Sequence, residues 1–207
     1  MDREYWNEFY KKGLANKEPT LFAQYVSENY LEDGKTILEL GCGNGRDSLY
    51  FGKKDLNVIA IDGADQVIES LQLENCNSKV KFFRDDFVTT DIYKTKKVNY
   101  VYSRFTLHAI TEEQEDILLK NVYQGIEEGG MFFIEVRSVR DDLFGKGKKV
   151  DRNAYFYNEH YRRFIVMDEL EEKLKENGFT IIFSKESRGF APYKDQNPYV
   201  IRVVAKK

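Results

Sequence analysis

Short apolar runs alternate with stretches of helical spacing along most of this chain. Thr36–Leu40, Val58–Asp62, Val80–Phe83, Val98–Ser103 and Met131–Val136 read as strands, each a brief apolar run bounded by turn or polar residues. Helical patterns lie between them. One runs from Arg46 to about Lys53. Another, Ala64–Leu73, sets Val67, Ile68 and Leu71 on one face. Thr111–Ile126 has a threonine cap, an acidic first turn (Glu112, Glu113) and apolar Ile117, Leu118 and Val122; Glu128-Gly129-Gly130 stops it. Asp168–Asn177 is a helix closed by Gly178. Phe179–Ser184 and Tyr199–Val204 are two last strands, near enough to pair as an antiparallel hairpin. Strands alternating with helices predict an α/β fold, a parallel sheet covered on both faces.

Two segments fall outside this rhythm. Residues 3–12 carry Tyr5, Trp6, Phe9 and Tyr10 at helical spacing, and Leu21–Tyr30 reads as a further helix. The first segment is either a helix docked by its aromatic face or a lid over a ligand site; residues 1–33 are taken as a helical lid, with Trp6 facing the ligand. The other segment, Ser138–Phe164, is long and irregular, and such loops are often functional. The 207 residues are read as a single domain, with 138–164 as a substrate-side insertion.

Composition changes this picture little. The net charge of −3 points to neither a nucleic-acid binder nor a membrane-surface protein. No apolar run approaches the roughly 18 residues that span a bilayer, and the first residues have no signal-peptide pattern. Cys42 and Cys76 make no metal or disulfide spacing. A cytoplasmic protein without a metal is expected. Charge is uneven, however. From Arg137 to Arg163, eight basic residues face four acidic ones, so that segment is +4 and the remainder −7.

The chemistry concentrates at Glu39-Leu40-Gly41-Cys42-Gly43-Asn44-Gly45-Arg46, where a strand passes through three glycines into a helix. Glycine accepts positive φ and lets a ligand approach the backbone, and the first helical N–H groups have no internal partner. A nucleoside-type cofactor is the natural occupant. A dinucleotide fingerprint would place its third glycine at position 46; here it is Arg46, and the glycine falls at Gly45. Asp62, about twenty residues on, ends the second strand and can accept from ribose hydroxyls or cap the next helix. Asp85-Asp86-Phe87 offers carboxylates for an exocyclic amine and a ring for an adenine face. Glu39, if buried, calls for an ammonium or hydroxyl partner.

Taken in order, these motifs, with Tyr100-Val101-Tyr102-Ser103 and Glu127-Glu128-Gly129-Gly130, resemble the class I S-adenosylmethionine-dependent methyltransferases over about residues 35–136. Gly41 to Tyr50 is especially similar to small bacterial members, such as the tellurite-resistance and thiopurine type and those acting on sugars and other small molecules. The resemblance implies a Rossmann-like seven-stranded, mostly parallel sheet with helices on both faces and a C-terminal antiparallel hairpin. It implies S-adenosylmethionine as cofactor, with S-adenosylhomocysteine as product. Gly41, Cys42, Gly43, Gly45 and Arg46 would surround its methionine part, with Glu39 near the amino group. Asp62, Gly63 and Ala64 would hold the adenosine ribose. Asp86 would face the adenine amine beside Phe87, with Asp85 the less favoured carboxylate. Ser103 and Arg104 would sit beside the sulfonium.

A methyl acceptor is less legible. His108 and His160 are the two candidate bases, although a lone histidine is more often structural. The basic stretch suits an anionic small molecule, with Arg137, Tyr161, Arg162 and Arg163 as its ligands. Neither an Asn/Asp-Pro-Pro-Tyr motif nor a Pro-Cys nucleophile is present, so a small-molecule acceptor is favoured over nucleic acid. O-methylation of a sugar or phosphorylated intermediate comes first. N- or S-methylation of the detoxification type, or binding of the cofactor without catalysis, are the alternatives.

Overall fold

A computed structural model describes residues 16–158 and 160–207. Its centre is a seven-stranded sheet in the order β3-β2-β1-β4-β5-β10-β9. The strands are β1 (Thr36–Leu40), β2 (Asn57–Asp62), β3 (Val80–Arg84), β4 (Val98–Arg104), β5 (Ile126–Arg137), β9 (Thr180–Ser187) and β10 (Val200–Lys206). The first five are parallel, and β10 enters antiparallel between β5 and β9. The sheet, its strand count and its antiparallel C-terminal pair agree with the sequence reading.

Side chains leave alternate faces of a strand, so each strand feeds two cores. Leu38, Leu40, Ile59, Ile61, Phe132 and Ile134 enter one, together with Leu118 and Val122 of helix α5 (Glu112–Gly125) and Leu170 and Leu174 of α6 (Met167–Glu176). Ile37, Val58, Ala60, Tyr102 and Phe133 enter the other, against α1 (Leu21–Asn29), α2 (Arg46–Lys53) and α3 (Asp65–Glu74). A short helix, α4 (Ile92–Thr95), precedes β4. Thr111 caps α5 in a capping box with Gln114.

Two expectations are corrected. Glu128-Gly129-Gly130 does not end a helix ahead of a separate strand; α5 has already stopped at Gly125, and β5 runs through both glycines. A Cβ on Gly130 would lie 2.5 Å from the Asn99 carbonyl oxygen, so glycine is kept there by close strand contact. The stretch 138–164 is also not irregular. It contains a second antiparallel sheet of β6 (Lys148–Asp151), β7 (Ala154–Tyr157) and β8 (His160–Arg163). These strands are four residues long, and β6 is exposed throughout, so no apolar alternation announces them. No helix among the described residues is long and apolar enough to cross a membrane.

Candidate functional site

A cavity of about 420 Å³ opens at the carboxyl ends of the parallel strands, across the β1–β4 boundary where the strand order reverses. The glycine turn forms its floor. Gly41, Gly43 and Gly45 have φ of 67, 53 and 72°, which only glycine adopts without strain. At Gly41 the space is also closed, since a Cβ would meet Thr106 Cγ2 at 2.6 Å.

Two buried carboxylates define the chemistry of this end. Asp62 accepts from Gly43 N and Ala64 N, each at 2.9 Å, so it shapes the turn as well as facing the cavity. Burial raises its pKa, against the pull of those backbone donors. Glu39 is 4% exposed and accepts from the Ser48 hydroxyl. Burial, then the nearby Asp47 charge, pushes it well above the usual carboxylate range. Such carboxylates are stabilised by a ligand that brings an ammonium or hydroxyl groups. The methionine amine and ribose of S-adenosylmethionine have that chemistry.

Of the other residues expected at the cofactor, Cys42, Arg46, Phe87 and Arg104 line the cavity. Burial raises the Cys42 thiol pKa, which suits a packing role. Gly45, Gly63, Ala64, Asp85, Asp86 and Ser103 are not among the cavity's lining residues. Asp85 accepts from Asp86 N at 2.8 Å and from Thr90 Oγ1, and Asp86 accepts from Val88 N at 2.9 Å, so both shape the turn that presents Phe87. Ser103 is buried and hydrogen-bonded to the Thr106 hydroxyl. Trp6 lies outside the described residues.

The acceptor side differs more. Arg137 lines the cavity, while Tyr161, Arg162 and Arg163 do not. Arg163 is buried, 2.5 Å from Glu115, and donates to the Ile110 carbonyl at 3.1 Å; it ties β8 to α5. His108 and His160 are 4% and 2% exposed and meet edge to face with ring centroids 6.3 Å apart. Neither lines the cavity. Burial, reinforced by the positive charge of Arg162, drives His108 well below its ordinary value and His160 down to about 4. Both rings are held neutral.

Three wall elements escaped the sequence reading. Asp47, on the first turn of α2, accepts from Thr20 N and Thr20 Oγ1, each at 2.8 Å, and from the Tyr102 hydroxyl at 2.9 Å. It thereby fastens the segment 16–20 over the glycine turn, where Asn44 also donates to the Asn16 carbonyl at 2.9 Å. The loop between β9 and β10 supplies Phe190, Ala191, Pro192, Tyr193, Gln196 and Pro198. Phe105 has φ of 57°, a strained value for a bulky residue, and its N–H donates to the Glu135 carbonyl at 2.8 Å. One signal was available: the chain has three prolines, Pro19, Pro192 and Pro198, and all three line the cavity.

Comparison with known proteins agrees with this geometry. A family model described as a methyltransferase domain matches residues 10–183. Carboxy-S-adenosyl-L-methionine synthase of Shewanella woodyi is 26% identical over 179 residues, covering 75% of this chain and 72% of its own. Cypemycin N-terminal methyltransferase of a Streptomyces species is 29% identical over 112 residues, 54% of this chain and 45% of its own. The chain therefore spans under half the length of the latter. The 1,6-didemethyltoxoflavin-N1-methyltransferase of Burkholderia thailandensis, solved with 1,6-didemethyltoxoflavin and S-adenosylhomocysteine, superposes with a TM-score of 0.75 at 19% identity, covering 99% of this chain and 86% of that one. The chain belongs to the methyltransferase-domain family and is a class I S-adenosylmethionine-dependent methyltransferase.

Proposed function

We propose that this enzyme methylates a small anionic metabolite, with an oxygen nucleophile favoured. One observation carries the reading. The acidic lining residues Glu39 and Asp62 end β1 and β2, whereas Arg104 and Arg137 end β4 and β5. The strand ends that line the cavity therefore carry carboxylates on one side of the β1–β4 boundary and guanidinium groups on the other, with Arg46 and Asp47 of α2 beside the carboxylates. The two guanidinium groups flank Phe105, 4.3 and 5.6 Å from its ring centre. Each has one carboxylate partner, Glu135 for Arg104 and Asp141 for Arg137, both at 2.9 Å. A guanidinium has five N–H donors, so each arginine retains donors for an anion.

Bound at the acidic end, S-adenosylmethionine supplies a methyl group already activated by a positive sulfur. The protein has to align the acceptor with that carbon and keep water away. Glu39 and Asp62 fix the donor, Arg137 orients the acceptor's anionic end, and Arg104 stands between them, meeting the sulfur end of the donor as well as the acceptor. Phe105, Phe190 and Tyr193 close the cavity around its apolar part. With both histidines away from the cavity lining, the proposal assigns no histidine base; an acceptor that loses its proton readily needs none. The segment preceding α1 serves as part of the cover. Free Cys42 and Cys76 fit a reducing, cytoplasmic setting. An N-methylated acceptor is the second reading, supported by the names of the Streptomyces and Burkholderia relatives.

The test is incubation of the enzyme with methyl-deuterated S-adenosylmethionine and a small-molecule extract, read by mass spectrometry. Label is expected in an anionic compound, and Arg137→Gln should reduce that product without loss of S-adenosylhomocysteine binding. Label confined to cationic compounds, protein or nucleic acid would overturn the reading.

A further inference from the structure

At the cavity wall, three charges run side by side across the sheet, Glu135 and Arg202 buried and Arg104 facing the cavity. Glu135 of β5 is 1% exposed and stands in register with Arg104 of β4 on one side and Arg202 of β10 on the other. Its Oε1 accepts from Arg104 Nε at 2.9 Å, and its Oε2 from Arg202 Nε at 2.7 Å. Arg202 extends the chain of contacts. Its Nη2 donates to the Phe190 carbonyl at 2.8 Å, and its guanidinium lies 4.3 Å from the Phe190 ring centre. Phe190 belongs to the loop 188–199, which walls the cavity; Arg104 lines the same cavity beside Phe105. One carboxylate thus joins two walls through the sheet. Among the loop's other charged anchors, Asp141 accepts from Tyr199 N at 3.0 Å beside β10, while Arg188 with Asp142 is solvent-exposed and correspondingly weak.

We propose that Glu135 is a positioning residue that couples the loop 188–199 to occupancy of the donor site. A ligand that fixes Arg104 also fixes Glu135, and the same carboxylate sets Arg202 and, through it, the Phe190 carbonyl. In a buried network of low dielectric the links reinforce one another. The role is independent of which acceptor the enzyme uses.

Exposed Lys194 lies in this loop, so tryptic cleavage after it, followed by mass spectrometry, reports the loop directly. The experiment compares the wild-type chain with Glu135→Gln and Arg104→Gln, without ligand and at S-adenosylhomocysteine concentrations that calorimetry shows to be saturating for each. In the wild type the ligand should slow cleavage roughly fivefold or more. Glu135→Gln should be cut faster without ligand and lose the protection. Arg104 makes no hydrogen bond or ion pair to the loop, its partner being Glu135, yet Arg104→Gln should also lose protection at saturation, a change that the loop's own anchors would not produce. If Glu135→Gln lacks a cooperative melt, Arg104→Gln decides. Wild-type protection retained in a folded variant, or none in the wild type, overturns the proposal.

Discussion

Thr20 donates twice to one carboxylate: its backbone N–H reaches Asp47 Oδ1 and its hydroxyl reaches Asp47 Oδ2, each at 2.8 Å. The same hydroxyl oxygen accepts from Ala23 N at 3.0 Å and caps α1. One residue therefore starts a helix and fastens a cavity wall to the glycine turn. Asp47→Asn would present an amide group to donors on Thr20 and Tyr102. We expect a loss of about 1–3 kcal/mol in unfolding free energy, measured in urea, with weaker S-adenosylhomocysteine binding. An unchanged midpoint would mean that the carboxylate contributes nothing to this wall.

Gly41 meets two constraints, a φ of 67° and a Thr106 methyl that would lie 2.6 Å from any Cβ. Left-handed backbone alone costs about 1–2 kcal/mol for a residue with a Cβ. Gly41→Ala should lower stability by at least that amount. Adding Thr106→Ser removes the methyl, keeps the hydroxyl that faces Ser103, and should recover part of the loss. No recovery in the double variant would show that the backbone conformation is the whole constraint.

Glu39 keeps a raised pKa because burial and the Asp47 charge disfavour its ionised form. Its unfolded carboxyl ionises at the ordinary value and its folded one only at higher pH. Stability is therefore lost as pH rises through that window and is level above it. Glu39→Gln has no such window. The unliganded variant should melt higher than wild type at neutral pH and bind S-adenosylhomocysteine more weakly, by about 1–3 kcal/mol, through loss of a charge-assisted contact. A variant no more stable than wild type, or one that binds as tightly, would contradict the argument.

His160 has the opposite sign. Its folded pKa is about 4 against an ordinary 6.5, so the unfolded chain takes up the proton first. Stability should fall as pH drops from 6.5 towards 4, by at most about 1.4 kcal/mol per pH unit for this group. The causes are burial and the charges of Arg162 and Arg137, and neighbouring His108 is depressed in the same way. His160→Gln should flatten the slope in that interval without removing it. Equal slopes in chemical denaturation would exclude His160 as its source.

The main sheet was legible because its inner strands, β2 and β4 among them, are buried on both faces and read as short apolar runs. The glycine floor of the cavity and its strand-end carboxylates were legible because they stand at fixed offsets along one chain. The opposite wall is assembled from segments far apart in sequence, and there composition misdirects. Arg163 belongs to the basic stretch, but its charge is taken up by Glu115. Asp47 looks like any acidic residue in a helix's first turn, where the helix dipole already accounts for it. Only its neighbours Thr20 and Tyr102, 27 and 55 residues distant, reveal its task. The strands β6–β8 carry Lys148, Lys149 and Asp151 with no buried face on β6, so periodicity has nothing to report.

The placement of β10 between β5 and β9 has a consequence for biosynthesis. Strand β9 emerges from the ribosome before β10, yet β10 is its sheet neighbour. Until residues 200–206 follow, β9 stays unpaired and the outer edge of β5 lies open to other extended chains. Glu135 and Arg104 also wait for Arg202, the last member of their triplet to be translated. The nascent chain thus holds a bare strand edge and an incomplete charge set through the same interval, and a single strand addition closes both.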